Sequence, residues 1–345
     1  MMNRWHVLKR LMPLLAGMVL LLSACGRADL SALRPQGPVA EEQFGLMKLS
    51  ITIMTIVVVV VFLLAIYVII RFRRRPGDKT IPVQVEGNHK LEVIWTVIPI
   101  IMLIILGVPT IKTVFGLAED YSKDPNAIQI KVTAHQYWWE FEYPKEGVKT
   151  AQELIIPNDA VISVEAKTAD VIHSFWIPSL AGKMDTNPGG NVNKMYFKAP
   201  KTGVYLGKCA ELCGPSHALM DFKVKVVDRA SYDRWILAQK APVAMPKDEK
   251  VAEALATCLT CHAIGEGNNW APNLTGIGSR ETVGGILVNT DNKKYSNEGT
   301  VQENLERWLR ETNKVKPGNM MGQIPLSEDQ IKGVAEYLAG LKLDY

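Results

Sequence analysis

Apolar residues concentrate in three early runs, followed by a region of alternation and then a region of helical spacing. The first run, Leu11–Leu22, follows Arg4, Lys9 and Arg10 and ends in Ser23-Ala24-Cys25, the layout of a secretory signal peptide. The second, Leu49–Ile70, is long enough as a helix rising about 1.5 Å per residue to cross a hydrocarbon core of ~30 Å. It closes on Arg71, Arg73, Arg74 and Arg75. The third, Val93–Phe115, predicts a second crossing, with Pro99, Gly107 and Pro109 tolerated as in packed membrane helices. The arginine cluster assigns the loop 71–92 to the cytoplasm. The segment 25–46 and everything from residue 116 onward then lie outside, as a signal peptide also requires.

Past a polar linker at 116–127, the period changes to two. Ile128, Ile130, Val132 and Ala134 share one face of a strand, and Val161–Val164, Gly203–Gly207 and Phe222–Val226 read as further strands. Pro157-Asn158-Asp159 and Asn187-Pro188-Gly189-Gly190 mark turns between them. The expectation for 116–228 is an antiparallel β-sandwich or barrel. A short helix at Ser231–Gln239 and a linker at Ala241–Pro246 fill 229–246. From 247 to 345 helices are predicted at Asp248–Thr257, Val301–Thr312 and Ser327–Leu341. Thr300-x-x-Glu303 and Ser327-x-x-Gln330 open the last two as capping boxes, and Ile331, Val334, Ala335 and Leu338 form one apolar face.

Composition narrows the class. Of 345 residues 48% are hydrophobic, and their concentration in the early runs describes a membrane protein with soluble parts. The net charge of +4 comes without a basic stripe interleaved with aromatics, which argues against a nucleic-acid partner. Five cysteines are present, and their spacing suggests duties other than disulfides. Cys25, directly after Leu22-Ser23-Ala24, resembles a bacterial lipobox; that resemblance implies cleavage after residue 24 and lipidation of the thiol. The alternative is an uncleaved anchor.

Cys209-Ala210-Glu211-Leu212-Cys213 runs on to His217 and Met220. A Cys-x-x-x-Cys alone is equally compatible with a disulfide or zinc. Two thiolates, an imidazole and a thioether share one inter-strand loop; thiolate and thioether are soft ligands that select copper over hard cations, and zinc has no use for Met220. His173 lies upstream at the end of a strand-like run. Cys258-Leu259-Thr260-Cys261-His262 is a c-type haem attachment motif, with thiols for the haem vinyl groups and His262 for the iron. An axial methionine is expected in Lys316-Pro317-Gly318-Asn319-Met320-Met321.

His173 with the C-x-E-x-C-x-x-x-H-x-x-M loop resembles the binuclear CuA centre of cytochrome c oxidase subunit II. The resemblance implies a cupredoxin-like Greek-key fold, with Cys209 and Cys213 bridging two coppers. His173 and His217 would take one copper each, and Met220 and the Glu211 carbonyl the axial positions. In the family an aromatic cluster admits electrons above the coppers, which points to Tyr137, Trp138 and Trp139, with Tyr137 standing where tryptophan is usual. His135 beside them reads as a strand residue. The Glu211 carboxylate matches a family magnesium ligand at the contact with subunit I. Glu92 matches a glutamate near a proton-pathway entrance, or is a solvated helix-start carboxylate. P-G-x-x-M, common in fused cytochromes of this family, selects Met321 over Met320. For 247–345 the family implies an all-α class I cytochrome c, with residues 268–278 along the proximal haem edge.

The whole resembles a bacterial caa-type oxidase subunit. Its electrons would pass from a donor (a quinol-cytochrome c reductase or another cytochrome c) through haem and copper to the oxygen-reducing centre of subunit I, in a complex that translocates protons. Two other readings are a copper-less quinol oxidase subunit II and a membrane-tethered copper-delivery protein.

Overall fold

The computed structural model describes residues 12–13, 17 and 26–345, except 75, 78, 268–269 and 291–295. Cys25 and most of the first apolar run therefore lie outside the described residues. The chain divides into two units, 41–118 and the remainder.

The unit 41–118 is built from helices α1 (Pro38–Arg71) and α2 (His89–Leu117). α1 starts earlier than its apolar run because Pro38 is preorganised for a first helical turn and Glu41 favours the dipole there. Asn88 caps α2 by accepting from the N–H groups of Lys90 and Leu91. The helices meet where Thr113 Oγ1 donates to Glu42 Oε1 at 2.8 Å. Their apolar side chains stay exposed all round, Phe62 and Leu103 included. A helix apolar on every side and unburied needs a lipid solvent.

The remaining unit holds a β-sandwich and a helical domain. One sheet runs β3 (Val148–Ala151), β2 (Trp138–Tyr143), β1 (Ile128–His135), β5 (Ile162–Thr168), β8 (Asn193–Phe197). The facing sheet runs β4 (Glu153–Pro157), β10 (Asp221–Val227), β9 (Gly203–Cys209), β6 (His173–Trp176), β7 (Met184–Thr186). The sheets are mixed, which corrects the purely antiparallel expectation: β1 pairs β5, and β10 pairs β4, in parallel. No helix is needed for either crossover. Between β1 and β5 the chain visits the opposite sheet as β4, and that excursion supplies the return path.

Alternation fills the interior. Ile128, Ile130, Val132 and Ala134 of β1 point inward, as do Trp139, Phe141 and Tyr143 of β2. Trp139, Phe175 and Phe222 form an aromatic cluster in which Phe175 and Phe222 stack at 4.8 Å. Helix α3 (Arg229–Gln239), capped by Asp228, packs Trp235 against Tyr143.

The C-terminal domain is formed by α4 (Glu249–Cys258), α5 (Val301–Val315) and α6 (Glu328–Gly340). Gly333 of α6 lets the first and last helices touch, since a Cβ there would sit 2.4 Å from Val251. The all-α expectation needs amendment. A small sheet, β11 (Thr282–Val283), β12 (Leu287–Asn289) and β13 (Glu298–Gly299), lies beside α5. Strands of two or three residues carry no readable period, although left-handed Gly284-Gly285 signals the first turn.

Both capping boxes form. Replacing Thr300 with alanine removes the acceptor for the Glu303 N–H and should cost the C-terminal domain about 1 kcal/mol. Denaturant unfolding followed by helical circular dichroism checks this, and Thr300→Ser should restore the loss.

Candidate metal and haem sites

One end of the sandwich gathers residues from separate strands. His173 opens β6, Cys209 ends β9, and the following loop carries Cys213 and His217 before Met220 leads into β10. The sulfurs of Cys209 and Cys213 stand 3.9 Å apart, both as free thiols and too far apart for a bond of about 2.05 Å. His173 Nδ1 lies 3.8 Å from the Cys209 sulfur, and His217 Nδ1 lies 3.6 Å from that of Cys213. The Glu211 carbonyl approaches Cys209 Sγ at 3.3 Å, and Met220 Sδ approaches Cys213 Sγ at 3.9 Å. Each thiol thus has one imidazole and one weak donor beside it. His173, Cys209 and Cys213 are all buried with their ligand atoms within 4.8 Å of one another.

Hydrogen bonds hold this loop. Ala210 N–H donates to Ser174 O, and Gln136 Nε2 donates to Cys213 O at 2.6 Å. Asp170 Oδ1 sits 2.8 Å from His173 Nε2, while its other oxygen accepts from the Gln136 N–H. A carboxylate on the outer nitrogen fixes the ring and leaves Nδ1 toward the thiols. Burial raises the Asp170 carboxyl, but the hydrogen bonds from His173, Gln136 and Val171 outweigh it and keep it below the usual range. Asp170 and Gln136 tie down His173 and the Cys213 loop, and sequence reasoning missed both. The only signal was an aspartate three residues before His173.

Burial likewise raises the Cys209 thiol, yet its hydrogen bonds to His173 and to the backbone at Ser174 and Glu211 bring it down to about 7. Burial, then the Cys209 charge, pushes Cys213 up. Loading a cation would displace the protons that remain on the pair.

The aromatic trio divides. Trp139 is wholly buried, in a T-shaped contact with His173 at 6.1 Å, away from the surface. Strand alternation puts it inside with Phe141. Tyr137 is buried as well, and Trp138 is half-exposed, stacked on His135 at 4.1 Å. Glu92 stands in the first turn of α2, 3.2 Å from His89 Nδ1.

In the helical domain Cys258 ends α4 and is buried, with Cys261 half-exposed. His262 Nδ1 lies 2.6 Å from the Pro272 carbonyl, the kind of contact that orients a proximal imidazole. Burial lowers the His262 pKa, which keeps the ring neutral as a ligand must be. Met321 packs on the same apolar cluster as Cys258, and its sulfur accepts from Trp308 Nε1 at 3.1 Å. Met320 is 71% exposed. The donor set fits a haem c, with Met321 the better-placed thioether.

A membrane-anchored chain with a soft-ligand copper site on a sandwich and a haem site on a helical domain defines the electron-transfer subunit of a respiratory oxidase. Family models agree in three parts: cytochrome c oxidase subunit II, transmembrane domain, at 33–113; its periplasmic domain at 146–227; and cytochrome c at 249–342. The chain belongs to the cytochrome c oxidase subunit 2 family and carries a fused cytochrome c domain. It is 42% identical over 354 residues to cytochrome c oxidase subunit 2 of Alkalihalophilus pseudofirmus, covering 99% of each chain. With the subunit 2 of Bacillus sp. strain PS3 it shares 45% over 368 residues, 99% of this chain and 100% of that one. A quinol oxidase subunit 2 of Bacillus anthracis is 34% identical over 240 residues, covering 68% of this chain and 81% of that one. The protein is therefore a membrane protein with an exterior domain that associates with other oxidase subunits, and its domains imply copper and haem.

Removing the Asp170 carboxylate should loosen His173. Asp170→Ala is expected to weaken copper binding by roughly 10–100-fold, measured by competition with a chelator of known affinity. An unchanged affinity would show that the carboxylate does not orient the ligand.

Proposed function

We propose that Cys209, Cys213, His173, His217, Met220 and the Glu211 carbonyl would together hold two coppers. Cys258 and Cys261 would hold a haem c covalently, with His262 and Met321 as the residues offered to its iron. When bound, these groups supply two one-electron couples. The carrying observation is the doubled environment of the two thiols, each with its own imidazole and weak donor. A zinc site or a structural disulfide would not need that symmetry.

The chain's own residues do the rest. Hydrogen bonds at Gln136, Asp170 and Ser174 keep the ligand loop in one shape, so little has to move when the charge of the site changes. Electrons arrive at residues 247–345 from a quinol-cytochrome c reductase or another cytochrome c. They cross to the copper site and leave for the haem of subunit I, in a complex that also translocates protons. The Glu211 carboxylate offers a magnesium ligand at that contact, and Glu92 marks a proton-pathway entrance. α1 and α2 cross the bacterial cell membrane with residues 71–92 inside, and Cys25 adds a lipid anchor.

Burial argues against copper delivery, since His173 and Met220 are wholly buried and exchange needs exposed ligands. A copper-less quinol oxidase subunit would have no use for the complete ligand set. Metal and haem analysis of the purified protein discriminates: two coppers per covalent haem are expected, with an electron-spin spectrum of one unpaired electron shared by two copper nuclei. One copper, or none, overturns the reading.

A further inference from the structure

The haem domain does not hang from the copper domain by its linker alone. Lys223 Nζ of β10 contacts Glu281 Oε2 at 2.7 Å, and Lys225 Nζ stands 3.7 Å from the other oxygen. The Glu281 N–H donates to Oε1 of Glu153, a carboxylate only 4% exposed, at 2.5 Å. Partners 58 and 128 residues apart in sequence are thereby fixed in one register. Beside this cluster the two ligand loops touch. Ser216 Oγ, one residue before His217, donates to the Pro317 carbonyl at 2.6 Å. A Cβ at Gly318 would lie 3.6 Å from both Pro215 Cγ and Tyr137 Oη.

We propose that the Glu153–Glu281–Lys223–Lys225 cluster latches the cytochrome domain onto the copper domain, and that Ser216 Oγ to Pro317 O is the bridge by which electrons pass between the two ligand loops. The latch makes the copper loop's partner a segment of the same chain. Ser216 and Tyr137 are buried where the haem loop meets them, so on this proposal outside donors deliver to the haem site and not to copper. The exchange balances as one electron: the haem site is oxidised by one, the copper site is reduced by one, and no bond or proton changes hands. A carboxylate and an amide buried together are costly to separate unless both are resolvated, which favours one docked state over free tumbling. The inference rests on reading 209–220 as the copper site and 258–321 as the haem site.

The test uses the full chain in the assembled oxidase, with copper and haem content and both optical spectra recorded for every variant. Glu281→Lys should raise hydrogen–deuterium exchange across residues 279–286 by roughly tenfold or more, equivalent to losing one charge-assisted bond. Adding Lys223→Glu and Lys225→Glu to it should restore protection. Should Glu281→Lys fail to assemble, Lys223→Ala with Lys225→Ala removes the same attraction and is expected to raise exchange in the same way. Unchanged protection in these variants overturns the latch. Ser216→Ala should slow haem-to-copper transfer after photo-injection of an electron several-fold, with protection at 279–286 unaltered, and Ser216→Thr should keep the rate. An unchanged rate in Ser216→Ala overturns the bridge. A wild-type protein lacking copper would instead sink the underlying site assignment.

Discussion

Two thiols held 3.9 Å apart in a buried pocket without joining impose the demand from which the rest of the exterior fold follows. Left to relax, such a pair would oxidise, or one thiol would turn toward water. Here neither sulfur can turn, because the loop that carries them is tied at Ala210, Cys213 and Ser216 to three different parts of the chain. Those ties need a rigid floor. Trp139 provides it, its indole N–H reaching the Met220 carbonyl at 3.4 Å while its ring packs on Phe175 and Phe222. Aromatic burial thus serves ligand geometry as well as stability.

What the amino-acid order disclosed follows from how local each constraint is. The second and third apolar runs, the period-two face of β1 and both capping boxes depend on neighbours within a few residues, and they appear where expected. The candidate copper ligands were legible because five soft or imidazole donors, four of them on one loop, have few other uses. Asp170 and Gln136 were not, since one aspartate and one glutamine look alike everywhere until folding brings them to His173 and Cys213. Parallel pairing of β1 with β5 was hidden for the same reason, being set by a route through the opposite sheet. Trp139 is a different case. Its alternation with Phe141 and Tyr143 already placed it inside, but its position in an aromatic trio suggested a surface role.

The unit 41–118 obeys a separate physics. Its side chains are apolar on all faces, so within that unit the side chains say little about which face meets a partner. Polar detail in it includes the Asn88 cap, the His89–Glu92 pair and the Thr113–Glu42 bond. Solvent, more than packing, dictates these helices, and the water-soluble parts reverse that order.

Fusing a carrier to its acceptor can work through concentration or through register, and these have different structural signatures. A flexible tether raises effective concentration to the millimolar range and leaves docking surfaces weakly charged and exchangeable. Register demands buried, complementary groups that would be unsatisfied if the domains parted. Only Ala241–Pro246 spans the gap as linker, and even there Tyr337 Oη donates to the Ala244 carbonyl. Glu153 is the decisive residue. On an isolated copper domain its carboxylate would have no reason to sit beside apolar Leu154 and Ile155 at a sheet edge, whereas against Glu281 N–H it is satisfied. The balance of groups at this seam therefore belongs to a permanent partner, and the copper domain carries the imprint of its cytochrome in its own β4 and β10.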